Sequence, residues 1–516
     1  ERLMIPRIDP SELPELARCW GFEPAAEEAG ELLAVAEAVF SVLDMLEGQE
    51  PELPAPVEAL REPGARPSAE QDPLNAIVRR CRVRAQGCEG LLSGKRLAMK
   101  DSVAIAGIPL TCGSAILQGF VPKYDATVTD RILRAGAEIV CITNMDDLAF
   151  SGGGESSWYG PTRNPFDPER SAGGSSSGSA AALWYDDIDL AVGCDQGGSI
   201  RTPASWCGVV GLKPTHSLVP YTGIAGIDAT FDHCGPMART AESAALLLQV
   251  MAGVDPGDPR QRDVPRGDYT GAIERAGDDL RDLRIGIITE GFSEGVGAEP
   301  ATCDAVRSAA ERLAGLGAEL YERSLPEHLQ AGGVAFAGFI EGMTALMTSG
   351  GNGIGWSGRY WEELAPAIVA GLRERGNELS PQVKATLAAG RHLREHLGDA
   401  TYARAQNLRP WLRAAYDRAL DDIDVLLMPT TPFRAFRLDD ELRTSERVLR
   451  GWANLANTYP TDMSGHPAIS LPLAEADGLP VGVMLVGHRF DDARLLAIAA
   501  TCELALGWAA VKAPGA

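Results

Sequence analysis

Short apolar runs, each closed by a charge, a glycine or a proline, recur along the chain from about residue 90 onward. RLAMKDSVAI (96–105), AEIVCIT (137–143), IDLAV (188–192), RIGIIT (284–289), IDVLLMP (423–429) and VGVMLVG (481–487) lack the alternation of a half-exposed strand, and predict strands covered on both faces. Between them VTDRILRAGA (128–137), SGSAAALWY (177–185) and AESAALLLQVMAG (241–253) have helical spacing. Strands alternating with helices predict an α/β architecture, a central mixed or largely parallel sheet flanked by helices.

The pattern differs at two places. EEAGELLAVAEAVFSVLDML (27–46) repeats its apolar positions at three and four, and PELPAPVEALREPGARPSAEQDP (51–73) follows it, rich in Pro and Glu. Residues 1–72 are therefore expected to form an N-terminal helical extension ending in a boundary segment. A helical, glycine-interrupted stretch over 290–405, including GGVAFAGFIEGMTALMTSGGNGIGW, reads as an inserted small or cap region. It divides the core into 73–289 and 406–516.

Composition narrows the functional classes. Hydrophobic residues are 45% and charged residues 23% of 516, an ordinary globular balance. The formal net charge of −24, from 71 acidic and 47 basic residues, repels a phosphate backbone and argues against a nucleic-acid partner. The start, ERLMIPRIDP, has no basic segment followed by an apolar one, and no uncharged run approaches the roughly 18–20 residues of a membrane span. The ten cysteines stand singly, with no metal-ligand spacing, and are expected to be reduced. A cytoplasmic protein without metal or cofactor is the expectation.

Candidate chemistry lies in SAGGSSSGSAAALWYDDIDLAVGCDQGGSIRTPAS (171–205), where two serine-glycine clusters sit inside core texture. Gly174–Gly178 formally matches G-x-S-x-G, but the loop NPFDPERSAG precedes it instead of the strand a nucleophile elbow needs. None of the seven histidines stands where a triad would use it. A phosphate loop fails as well, because GLLSGKR has the wrong spacing. Serine catalysis without histidine remains. Its base can be a lysine that burial brings from ~10.4 to near 7, roughly 4–5 kcal/mol of environmental work. Lys100, closing the run RLAM, is positioned for this, although alone it reads as a strand-end lysine.

RLAMKD, GGSSSGSAAA, DQGGSIRTPASWCGVVGLKPT and DHCGPMART, in this order, closely resemble the amidase signature family. The resemblance runs from about 95 to 255 and resumes in DMSGHPAISLP and GLPVGVMLVG. It implies the amidase signature fold and a Ser–cis-Ser–Lys triad of Lys100, Ser175 and Ser199. It also implies an oxyanion hole from the backbone amides of Gln196, Gly197, Gly198 and Ser199. Ser176, Asp195 and Arg201 are expected to support the loops, the last two as an ion pair. Ser151, Gly152 and Gly153 resemble the family's loop beside the acyl site.

Three departures stand out: Gln196 where most members have Thr, Ser177 for a glycine, and Cys194 where a small residue is expected. The DQGGSIR form and the helical extension look most like bacterial amidases associated with nitrile degradation, which are generally homodimers acting on small amides. The expected activity is hydrolysis of a carboxylic amide to acid and ammonia or amine through a Ser199 acyl-enzyme. The alternatives are an amidotransferase or biosynthetic subunit working with a partner or a larger metabolite, and a non-catalytic binding protein.

Overall fold

Twelve strands form one mixed sheet in the computed structural model. They are β1 (Ala59–Ala65), β2 (Ile77–Ala85), β3 (Arg96–Lys100), β4 (Glu138–Thr143), β5 (Leu190–Asp195), β6 (Val210–Lys213), β7 (His233–Ala238), β8 (Arg284–Ile288), β9 (Glu319–Arg323), β10 (Val425–Pro429), β11 (Ala468–Ala476) and β12 (Leu479–Val486). Their order is β1-β2-β4-β3-β5-β7-β6-β11-β12-β10-β8-β9. β3 runs parallel to β4 and β5, and β8 parallel to β9 and β10, while the remaining neighbours are antiparallel. Every residue of β5, β10 and β12 is buried, as expected for strands covered on both faces. The described residues are 5–46, 49, 54–277, 279–355, 357–438 and 441–507. Parts of the predicted extension and boundary segment, 1–4, 47–48 and 50–53, lie outside them.

Two expected boundaries change. The chain divides into compact units 1–55 and 56–516. In the first, a helix spans Ala26–Leu43, and Arg7 pairs with Glu37 and Asp44. The segment read as a boundary contains β1, an edge strand with Pro63 and Gly64. Its polarity is that of a sheet edge, where one side has no ladder to satisfy. The region expected as an insertion from 290 first contributes a helix, Pro300–Gly315, and the opposite edge strand β9. Beyond β9 the rest of that region, to 405, forms no strand among the described residues. Among the described residues one helical segment, Glu327–Thr348, is long and apolar enough to cross a membrane, and 61% of its apolar window is buried inside the fold.

The site is positioned by two adjacent parallel strands. Lys100 ends β3 and Asp195 ends β5, and their register sets Met99 against Val192. Both residues therefore emerge at the same edge of the sheet, where the loops leaving the carboxyl ends of parallel strands converge.

Candidate active site

Lys100 is wholly buried, and its Nζ donates to Ser175 Oγ at 2.8 Å and to the Cys194 carbonyl at 3.3 Å. Burial lowers its pKa below the ordinary lysine value, against the opposing fields of Cys194, Asp195 and Asp146. Ser175 is wholly buried as well, and the Gly174–Ser175 peptide is cis. The loop that carries it is fixed from behind. Ser176 Oγ donates to the Cys194 carbonyl at 3.1 Å and accepts from the Cys194 amide at 3.2 Å. The Ser176 amide donates to the Ser199 carbonyl at 3.0 Å. The two serine-glycine clusters are thus sewn together through main chain. The Ser199 hydroxyl makes no hydrogen bond among the described residues, so the direct Ser175–Ser199 link of the expected relay is not formed in this structure.

Asp195 organises the second loop. Its carboxylate accepts from the amides of Gly198 at 2.5 Å and Ile200 at 3.1 Å, and from Arg201 Nε at 2.9 Å and Nη2 at 3.0 Å. Burial would raise this carboxyl, yet the Arg201 charge and these hydrogen bonds hold it at about 2. The expected Asp195–Arg201 pair therefore exists, and it extends further than the sequence indicated. Arg201 also donates to Asp462 at 2.7 Å, the Thr458 carbonyl at 3.0 Å and Thr461 Oγ1 at 2.6 Å.

One expected donor is corrected. The Gly198 amide is engaged by Asp195 and does not point free. The amides of Gln196, Gly197 and Ser199 form no hydrogen bond among the described residues. Glycine is required at 198 for a different reason: its φ is +138°, and a β-carbon there would lie 2.1 Å from Thr458 Oγ1.

Gly152 donates to the Gly451 carbonyl at 3.1 Å, and its own carbonyl accepts from the Gly174 amide at 2.9 Å and from Asn454 Nδ2 at 2.6 Å. Ser151 Oγ accepts from the Gly153 amide at 2.9 Å. This segment braces the turn before Ser175. Gly197 faces an aromatic wall, since a β-carbon there would lie 2.7 Å from the Phe339 ring. Phe339 packs edge-on against Phe231 and Phe336, with centroids 5.5 and 5.6 Å away, and Phe336 in turn packs against Trp452.

Gln196 Nε2 donates to the Tyr221 hydroxyl at 2.7 Å. Cys194 is buried opposite Cys234 across the β5–β7 pair, with its thiol 3.6 Å from Ser102 Oγ. Burial pushes that thiol up, and Cys234 and Lys100 bring it below the ordinary thiol range. Thr458, Thr461 and Asp462, which hold Arg201, lie some 260 residues away along the chain; DMSGHP was their only sequence signal. No group of three or more His, Cys, Asp or Glu among the described residues is arranged to hold a metal ion.

A buried lysine on one serine, a second serine and three unengaged amides constitute equipment for acyl chemistry at a carbonyl. Comparison with known proteins agrees in class. The Amidase family matches residues 74–496. An enantioselective amidase of Rhodococcus rhodochrous is 40% identical over 448 residues, 86% of this chain and 85% of that protein. A glutamyl-tRNA(Gln) amidotransferase subunit from Synechococcus sp. (strain RCC307) is 38% identical over 413 residues, 80% and 83% of the two chains. A solved bacterial aryl acylamidase of the amidase signature enzymes superposes with a TM-score of 0.70 at 25% identity, covering 85% of this chain and 91% of its own. The chain belongs to the amidase signature family. It is an enzyme of that family.

Proposed function

We propose that the protein hydrolyses a small carboxylic amide to the acid and ammonia or amine through an acyl-enzyme on Ser199. The observation that carries the reading is the 2.8 Å Lys100–Ser175 hydrogen bond, wholly buried at the foot of a loop with three unengaged amides. Lysine in such a place favours its neutral form, which a general base requires. In the proposed sequence neutral Lys100 accepts the Ser175 proton and Ser175 accepts that of Ser199 as Ser199 Oγ bonds to the amide carbon. The carbonyl oxygen gains charge against the Gln196, Gly197 and Ser199 amides. The C–N bond then breaks, Lys100 returning a proton through Ser175 to the leaving nitrogen, and water releases the acid by the same relay. The step requires the Ser199 hydroxyl to turn toward Ser175. The Phe339, Phe231 and Trp452 wall favours an apolar aliphatic or aromatic acyl group.

Ammonia release from propionamide and benzamide tests the reading. Wild type is expected to release it, and S199A and K100A are not; full activity in both variants overturns the mechanism. The amidotransferase relatives at 38% identity support a second reading, in which the same chemistry works with a partner protein. Glutaminase activity together with co-purification of a partner would favour it.

A further inference from the structure

A cavity of about 400 Å³ lies between the segment 221–232 and the helices beyond β9, and Tyr221, which takes the hydrogen bond from Gln196, forms part of its wall. Among the residues lining it are the aromatics Tyr124, Tyr221 and Trp361 and the carboxylates Asp228, Asp232 and Glu341. The carboxylates are only 7%, 3% and 2% exposed. Asp228 accepts from the Tyr402 hydroxyl at 2.7 Å and the Thr230 amide at 2.8 Å, and Asp232 from the Ile227 amide at 3.0 Å. Neither oxygen of Glu341 has a donor in hydrogen-bonding geometry among the described residues, although the Tyr402 backbone and Thr401 lie near enough to oppose the effect of burial on it.

None of the three carboxylates is in an ion pair among the described residues. Arg260, which lines the cavity together with Arg359, pairs with Asp258 at 2.7 Å, stacks on the Tyr221 ring 4.9 Å from its centroid, and acts on Asp232 through its field. Arg394, on the same wall, reaches Glu341 through its field alone. Gly342, next to Glu341 in the chain, packs against Asp228, since a β-carbon on Gly342 would lie 2.6 Å from Asp228 Oδ2. Burial pushes Asp232 up to about 7 and raises Asp228 and Glu341. Unpaired buried carboxylates are costly, and a cation between them relieves that cost. Aromatic faces attract cations as well.

We propose that this cavity binds an organic ammonium ion, a protonated amine with a small apolar or aromatic body, through Asp228, Asp232 and Glu341 against the rings of Tyr124 and Trp361. The amine released by amide hydrolysis belongs to this chemical class, and in that link the proposal rests on the reading above; the binding itself does not require hydrolysis. Through Tyr221 and Gln196 the site adjoins the oxyanion loop.

Calorimetric titration of the full chain with benzylammonium chloride and with the neutral benzyl alcohol tests it. Benzylammonium is expected to bind about tenfold or more tightly than the alcohol. The D228N/D232N variant should lose that preference, and labelling Ser199 beforehand with a fluorophosphonate should leave it intact. Equal affinity of wild type for the two probes overturns the proposal, and this comparison stands even where the variant does not fold. So does an unchanged preference in a folded variant, or loss of the preference once Ser199 is labelled. Absence of amide hydrolysis with the charge preference intact would remove the proposed function and leave the ammonium site.

Discussion

Replacing Arg201 by lysine keeps the charge and removes the fork. The guanidinium, wholly buried, donates to Asp195, Asp462, the Thr458 carbonyl, Thr461 and, at 3.5 Å, Met484 Sδ. A lysine has one nitrogen with three donors, so it cannot reach this set from the same backbone position. At least one buried carboxylate loses its cation, and breaking a buried pair in this way costs about 3–5 kcal/mol. The same carboxylate, Asp195, holds the Gly198 amide, so loosening it moves the neighbouring Gln196, Gly197 and Ser199 amides. Loss of one well-aimed oxyanion donor lowers kcat by about 10²–10³. Guanidinium chloride unfolding and ammonia release, measured on R201K beside S199A, separate the two effects. R201K is expected to lose both stability and turnover, and S199A to lose turnover alone. Wild-type unfolding midpoint and kcat in R201K would refute the view that this ion-pair network holds the loop.

K100M is expected to abolish turnover and to raise Tm at neutral pH. Burial lowers the folded-state pKa of Lys100 below 10.5, so below that pH the unfolded chain binds the proton more strongly and the lysine destabilises the fold; a fall in Tm on differential scanning calorimetry would contradict this. Asp195 has the opposite sign. Held at about 2 against an ordinary 3.8, it contributes roughly 2–3 kcal/mol above pH ~4 that is lost as pH falls through about 2, and an acid titration in which D195N retains wild-type stability near neutrality would refute it. G198A is expected to lower kcat by more than about 10²-fold, since its β-carbon meets Thr458, and a steady-state assay with kcat unchanged would remove that constraint. Ellman titration of the native protein should reach at most Cys19, Cys81, Cys88 and Cys303, the four thiols that are not buried, and all ten after denaturation.

The strands most readable in the sequence were those with continuous apolar runs, because burial on both faces removes any polar alternation. β1 and β9 were hidden by edge chemistry, the one carrying Pro63 and Gly64 and the other reading ELYER. β7 contains Pro236 between two neighbours, and β11 contains Pro472 where its register with β12 shifts. A proline inside a run argues against a strand unless a bulge or an unbonded position absorbs it, and sequence does not reveal which. At the site, Lys100, Ser175, Asp195 and Ser199 were legible because the chain brings them in short, ordered motifs. The commitment of the Gly198 amide to Asp195, the far-off partners Thr458, Thr461 and Asp462, and the Phe339 wall depend on how distant segments fold back, for which no local pattern exists. Asp228 and Glu341 likewise come to line one cavity only through packing.

The central claim is that Ser199 carries the acyl group. Mass spectrometry of the intact chain and its peptides after fluorophosphonate treatment, with benzamide turnover measured in parallel, tests it most directly. The account predicts one adduct, on the peptide containing Ser199, absent from S199A, and ammonia from wild type alone. An adduct on another serine, or benzamide turnover surviving in S199A, would contradict it.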